Sequence, residues 1–153
     1  MIAASLVFMA SIAGIMEQRT SFSLMEDEPW ADKLEIPEEL RNRLLIKHVD
    51  GPLFFGFAQA LRKISSQVTG RKLLVLRMEH VSYMDQSGIY VLQDVLVDVE
   101  SAALRVLLVG LPKSQIDRLR AMQVVPGLMP RENVFDTFGG FRQALPAIIG
   151  KLG

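Results

Sequence analysis

Apolar residues along this chain follow two patterns, unbroken runs and runs that recur every three or four positions, and the two patterns alternate. Leu73-Leu74-Val75-Leu76 is apolar without a polar interruption. That predicts a strand from Lys72 to Met78 covered on both faces, as in a parallel sheet. Val106-Leu107-Leu108-Val109, ending at Gly110, predicts a second buried strand. Between the two, Ile89, Leu92, Leu96, Val99 and Ala103 recur at spacings of three and four, while Asp94, Asp98 and Glu100 fall on other faces. This predicts an amphipathic helix.

Upstream, Leu44-Leu45-Ile46-Lys47-His48-Val49 reads as a strand that breaks at Asp50-Gly51-Pro52, and Leu53-Phe54-Phe55 as a second short strand. The pair predicts a hairpin. Gly56 then opens a helical pattern with Phe57, Ala60, Leu61, Ile64 and Val68 on one face, closed by Thr69-Gly70. Downstream, Ile116, Leu119 and Met122 mark a shorter helix after Leu111-Pro112, with Ser114 placed near its cap. Val134-Phe135 suits a last short strand, and Phe141, Leu145, Ile148 and Ile149 a terminal helix begun near Phe138, with Pro146 inside the pattern. The expected fold is α/β, a sheet of about four to five strands, mainly parallel with an initial antiparallel hairpin, covered by about four helices.

The ends of the chain differ in character. Residues 1–16 carry no charge and include Ile2, Leu6, Val7, Phe8, Met9, Ile12 and Ile15. A spanning helix needs about 20 apolar residues, so this run is expected to be the end of a membrane helix; a signal peptide, which would want a basic segment first, and a buried N-terminal helix are the alternatives. Residues 17–43 turn polar and acidic, with Glu26-Asp27-Glu28-Pro29 and Ile36-Pro37-Glu38-Glu39, and read as an extended, solvated linker. The compact domain is expected over residues 44–153. In the chain of 153 residues, seventeen basic side chains balance seventeen acidic ones, so no overall basic field draws nucleic acid. Cysteine is absent, which excludes disulfides, thiolate metal sites and a thiol nucleophile.

Catalytic chemistry has little to work with. The two histidines, His48 in a strand and His80 before a loop, lack partners at metal or triad spacing and read as ordinary surface or strand-end residues. Gly110-Leu111-Pro112-Lys113-Ser114 lacks the first glycine of a phosphate-binding loop and places a proline where a backbone donor is needed. No enzyme is expected. Asp85-Gln86-Ser87-Gly88 holds more promise, because Asp85 or Ser87 can cap the following helix and Gly88 permits close approach or an unusual backbone angle. Backbone donors at that helix start could receive an anion, which leaves nucleotide binding as a secondary expectation and no required cofactor.

The strand, the Asp85-Gln86-Ser87-Gly88 loop and the following helix resemble the signature of the STAS domain, named for sulfate transporters and anti-sigma-factor antagonists. Asp50-Gly51-Pro52-Leu53-Phe54-Phe55-Gly56 is similar to the first hairpin of STAS domains at the carboxyl end of SulP-type anion permeases. The resemblance spans Leu44 to about Leu152. It implies a non-catalytic regulatory module on the cytoplasmic face of the cell membrane, following the last membrane helix of a sulfate-type anion transporter, with residues 1–16 as the tail of that helix. The chain is then either the carboxyl-terminal piece of a longer transporter or a gene product that keeps that piece alone. Implied partners are the transporter's membrane core, a second protomer or a cytosolic regulatory protein, but not nucleic acid. In free-standing antagonists a serine or threonine directly after the loop aspartate accepts phosphate; Gln86 stands there and has no hydroxyl. A free-standing antagonist-like signalling protein is the alternative, and it would need Ser87 as its phosphate acceptor. On the leading reading the contact surface comprises Tyr83, Met84, Asp85, Gln86, Ser87, Gly88, Ile89 and Tyr90, with apolar side chains beside a polar loop.

Overall fold

A computed structural model of the chain describes residues 36–50 and 70–152. Among the described residues, four strands form one sheet, and each pairing between them is parallel: β1 (Leu44–Asp50), β2 (Leu73–His80), β3 (Arg105–Val109) and β4 (Val134–Phe135). Their spatial order follows their order in the chain. Leu44 stands opposite Leu73, Leu73 opposite Arg105, and Leu108 opposite Val134. The second arm of the expected hairpin and the helix expected from Phe57 to Val68 lie outside the described residues, as do the apolar segment 1–16 and most of the acidic segment.

The unbroken apolar runs are explained by two cores, one on each face of the sheet. Alternate residues of a strand point to opposite faces, so a strand covered twice has no polar side to show. Leu74, Leu76, Leu108 and Leu45 join one cluster, with Leu92, Leu96 and Val99 of α2 (Gln86–Ser101) and Ile116 and Leu119 of α3 (Lys113–Ala121). Leu73, Val75, Leu107, Leu44 and Ile46 join the other, with Phe141, Leu145, Ile148 and Ile149 of α4 (Phe138–Gly150). Phe141 meets Phe135 edge-on at 5.9 Å and Phe138 at 5.4 Å. Pro146 is accommodated within α4 on its exposed side.

Packing against the sheet includes residues upstream of Leu44. Ile36 is buried in the second core and is followed by a single helical turn, α1 (Glu38–Arg41), so the last residues read as linker pack against the sheet. Arg41 Nε donates to the Ile36 carbonyl at 3.0 Å, and Arg71 reaches back to the carbonyls of Arg41 and Asn42 at 3.1 and 2.8 Å. One buried apolar side chain and these carbonyl ties outweigh the polar composition around them. His48 also departs from expectation, since it is buried in β1 rather than sitting at a surface, next to the equally buried Lys47. His80 closes β2 and is exposed.

α3 starts after Pro112 without a side-chain cap, and Ser114 lies in its first turn. Gly110, at the end of β3, has φ +77°. A methyl group there would collide with the Glu79 side chain, which Arg77 holds by two donors, Nε at 2.8 Å and Nη2 at 2.7 Å. The Arg77 guanidinium in turn lies 4.0 Å over the Phe138 ring. Glycine is required at position 110 by both backbone angle and space.

Candidate functional site

Parallel strands deliver their carboxyl ends to one edge of the sheet, and there β2 passes into the loop that begins α2. Val81 N–H donates to the Met78 carbonyl at 3.1 Å, turning the chain out of the strand. Asp85 is the N-cap, with extended backbone, and its Oδ1 accepts from Gly88 N–H at 2.7 Å. The cap of α2 is therefore Asp85, and Ser87 is left with an exposed hydroxyl. Gly88 is buried within the first turn, and it is not among the described glycines at positive φ.

The eight residues expected to form one surface divide into two sets. Met84 and Ile89 are fully buried in the first core, and Gly88 is buried with them. Ile89 shares a helical stripe with Leu92, Leu96 and Val99, so the same periodicity that defined the helix turns it inward. The exposed set is Tyr83, Gln86, Ser87 and Tyr90, with Asp85 half-buried among them. Gln86 Nε2 donates to Tyr90 Oη at 2.9 Å, a contact between side chains one turn apart.

Two residues of α3 complete the site. Gln115 is 5% exposed, and its Oε1 accepts from Met84 N–H at 3.2 Å. The Arg118 guanidinium lies 4.9 Å from the centre of the Tyr83 ring, within cation–π range. Neither was singled out from the sequence, because α3 follows the loop by some thirty positions and only the fold brings them together. The apolar phase of α3, with Ile116 and Leu119 inward, was the available signal for its proximity to the first core.

Asp85 places a carboxylate on the free amides of the helix start, so an incoming phosphate or nucleotide would meet negative charge where it seeks a donor. Among the described residues there is no group of side chains that could hold a metal ion. Gln86 offers an amide where a hydroxyl would be needed for phosphorylation.

The family model of the STAS domain matches residues 35–139. The chain belongs to the STAS domain family. Solved structures similar to this STAS domain include a sulfate transporter family protein from Wolinella succinogenes, at 24% identity and TM-score 0.69, covering 81% of this chain and 99% of that one. The SulP transporter STAS domain from Vibrio cholerae matches at 24% identity and TM-score 0.61, over 76% of this chain and 86% of that chain. Murine Solute Carrier 26 family member A9, an anion transporter in the inward-facing state, matches at 20% identity and TM-score 0.64, over 94% of this chain and 25% of the transporter. The anti-sigma factor antagonist SpoIIAA has the same fold at 17% identity and TM-score 0.52, over 85% of this chain and 99% of that chain. No curated protein matches. These likenesses bear out the expected STAS fold and its mainly parallel sheet.

Proposed function

We propose that this STAS domain is a non-catalytic regulatory module of a SulP-type anion transporter, positioned at the cytoplasmic face of the cell membrane and docking onto the transporter's membrane core. One observation carries the reading: at the start of α2 the loop leaves Tyr83 and Tyr90 exposed while fixing both, Tyr83 under Arg118 and Tyr90 through Gln86. Aromatic side chains that are exposed and already held in place lose little freedom on binding, which favours them as anchors of an interface. The family membership and the likeness to transporter STAS domains support the same reading. Residues 1–16, read as the end of a membrane helix, would tether the domain through the acidic segment 17–43. No helix among the described residues is long and apolar enough to cross a membrane, so on this reading attachment falls to residues outside them.

In a transporter carrying this domain, Gln86→Glu and Tyr90→Glu should reduce transport or assembly while the isolated domain keeps its fold. Unchanged transport and assembly with a folded domain would remove the surface from the account. The antagonist-like alternative needs phosphate on Ser87, whose hydroxyl is exposed.

A further inference from the structure

Three of the four large hydrophobic side chains that stay exposed among the described residues gather along α2: Tyr83 just before it at 42%, Tyr90 at 51% and Val97 at 48%. Tyr90 and Val97 are seven positions apart, so on a helix they point within about 20° of each other and stand about 10 Å apart along the axis. This stripe continues beyond the loop onto the body of the helix. It is bordered by carboxylates on both sides. Counted from Tyr90, Asp94 and Asp98 fall about 40° and 80° to one side and Glu100 about 80° to the other. All three are exposed, and none takes part in an ion pair among the described residues. α2 contains no lysine or arginine, although the chain as a whole is neutral.

An apolar stripe edged by unpaired negative charge has a defined complement, a helix with an apolar ridge edged by lysine and arginine. We infer that the occupant of the Tyr90–Val97 stripe is an amphipathic helical segment of the partner bordered by lysine and arginine. This rests on the docking reading above and specifies the partner's chemistry. A second copy of the chain laid α2 against α2 would set carboxylate against carboxylate, a like-charge juxtaposition that disfavours that pairing. Cytoplasmic segments next to membrane helices carry an excess of lysine and arginine, the charge that such an occupant needs.

The test uses the full chain and two synthetic helical peptides of about 18 residues, long enough to hold a helix, identical in their leucine ridge but flanked by lysine in one and glutamate in the other. Binding is followed by calorimetry at low and raised salt. The lysine peptide should bind, weaken as salt rises, and lose about tenfold or more in affinity on Asp94→Lys/Asp98→Lys. Glu38→Lys/Glu39→Lys, the same charge change on α1 and away from α2, should leave binding intact; circular dichroism confirms that each variant is folded. Equal binding of the glutamate peptide that depends on Tyr90 would overturn the inference about charge while leaving docking at the stripe standing. Failure of the lysine peptide to bind, or binding that α1 reversal weakens as much as α2 reversal, would overturn the inference outright.

Discussion

Gln115 on α3 accepts a hydrogen bond from the backbone amide of Met84, 31 residues earlier, at 3.2 Å. Both groups are buried, so the bond joins the turn before α2 to the neighbouring helix in a place water does not reach. Gln115→Leu keeps the side chain's bulk and removes the acceptor. It should lower stability by about 1–3 kcal/mol, the usual penalty for a buried donor left unpaired. Chemical denaturation measures the loss, and hydrogen exchange should show it concentrated at the Met84 amide.

The cap at Asp85 gives a second expectation. Asp85→Ala removes the acceptor for Gly88 N–H and should cost about 0.5–2 kcal/mol, whereas Asp85→Asn retains most of the cap and should cost less. Equal losses in the two variants would show that the bond to Gly88 contributes nothing.

Much of the fold was legible because the pattern of burial was simple. The runs at Leu73–Leu76 and Val106–Val109 have no polar alternation, as suits a strand covered on both faces, and both strands contribute to the two cores on opposite faces of the sheet. The stripe of Ile89, Leu92, Leu96 and Val99 located α2, and Phe141, Leu145, Ile148 and Ile149 located α4. The packing of Ile36 was hidden by its surroundings, since Pro37, Glu38 and Glu39 give the segment the composition of a solvated linker. At the site, adjacency in the chain groups Met84 and Ile89 with exposed neighbours, although both are buried. Helical phase is the better guide there: one position separates Ile89 from Tyr90, and one faces the core while the other faces solvent. Gln115 and Arg118 could not be read from local pattern, because their roles arise from how α3 packs beside the loop.

Gly110 should tolerate no side chain while Glu79 keeps its place. Gly110→Ala forces an alanine to φ +77°, which costs about 1–2 kcal/mol from backbone conformation alone, and adds the collision with Glu79. In a Glu79→Ala background the collision disappears, so the same substitution should cost less. A double-mutant cycle by denaturant unfolding measures the difference, and additive losses would contradict the crowding of Gly110 by Glu79.

Phosphorylation separates the transporter reading from the antagonist-like one. Gln86 accepts no phosphate, and Ser87 lies in the first turn of a helix already capped by Asp85. Mass spectrometry of the chain after incubation with candidate protein kinases should find no phosphoserine between Val81 and Tyr90. Stoichiometric phosphate on Ser87 would favour a signalling protein of the antagonist type.

Contact between the exposed face at the start of α2 and a transporter's membrane core is open to direct measurement. Photo-crosslinking tests it most directly, with a benzophenone side chain placed at Tyr90 or, as a control, at the exposed Gln143 of α4, in membranes of cells producing the transport core together with this domain. An adduct with the membrane core is expected from position 90 and none from position 143. An adduct from position 143 alone, or none from position 90 in an assembled transporter, would contradict it.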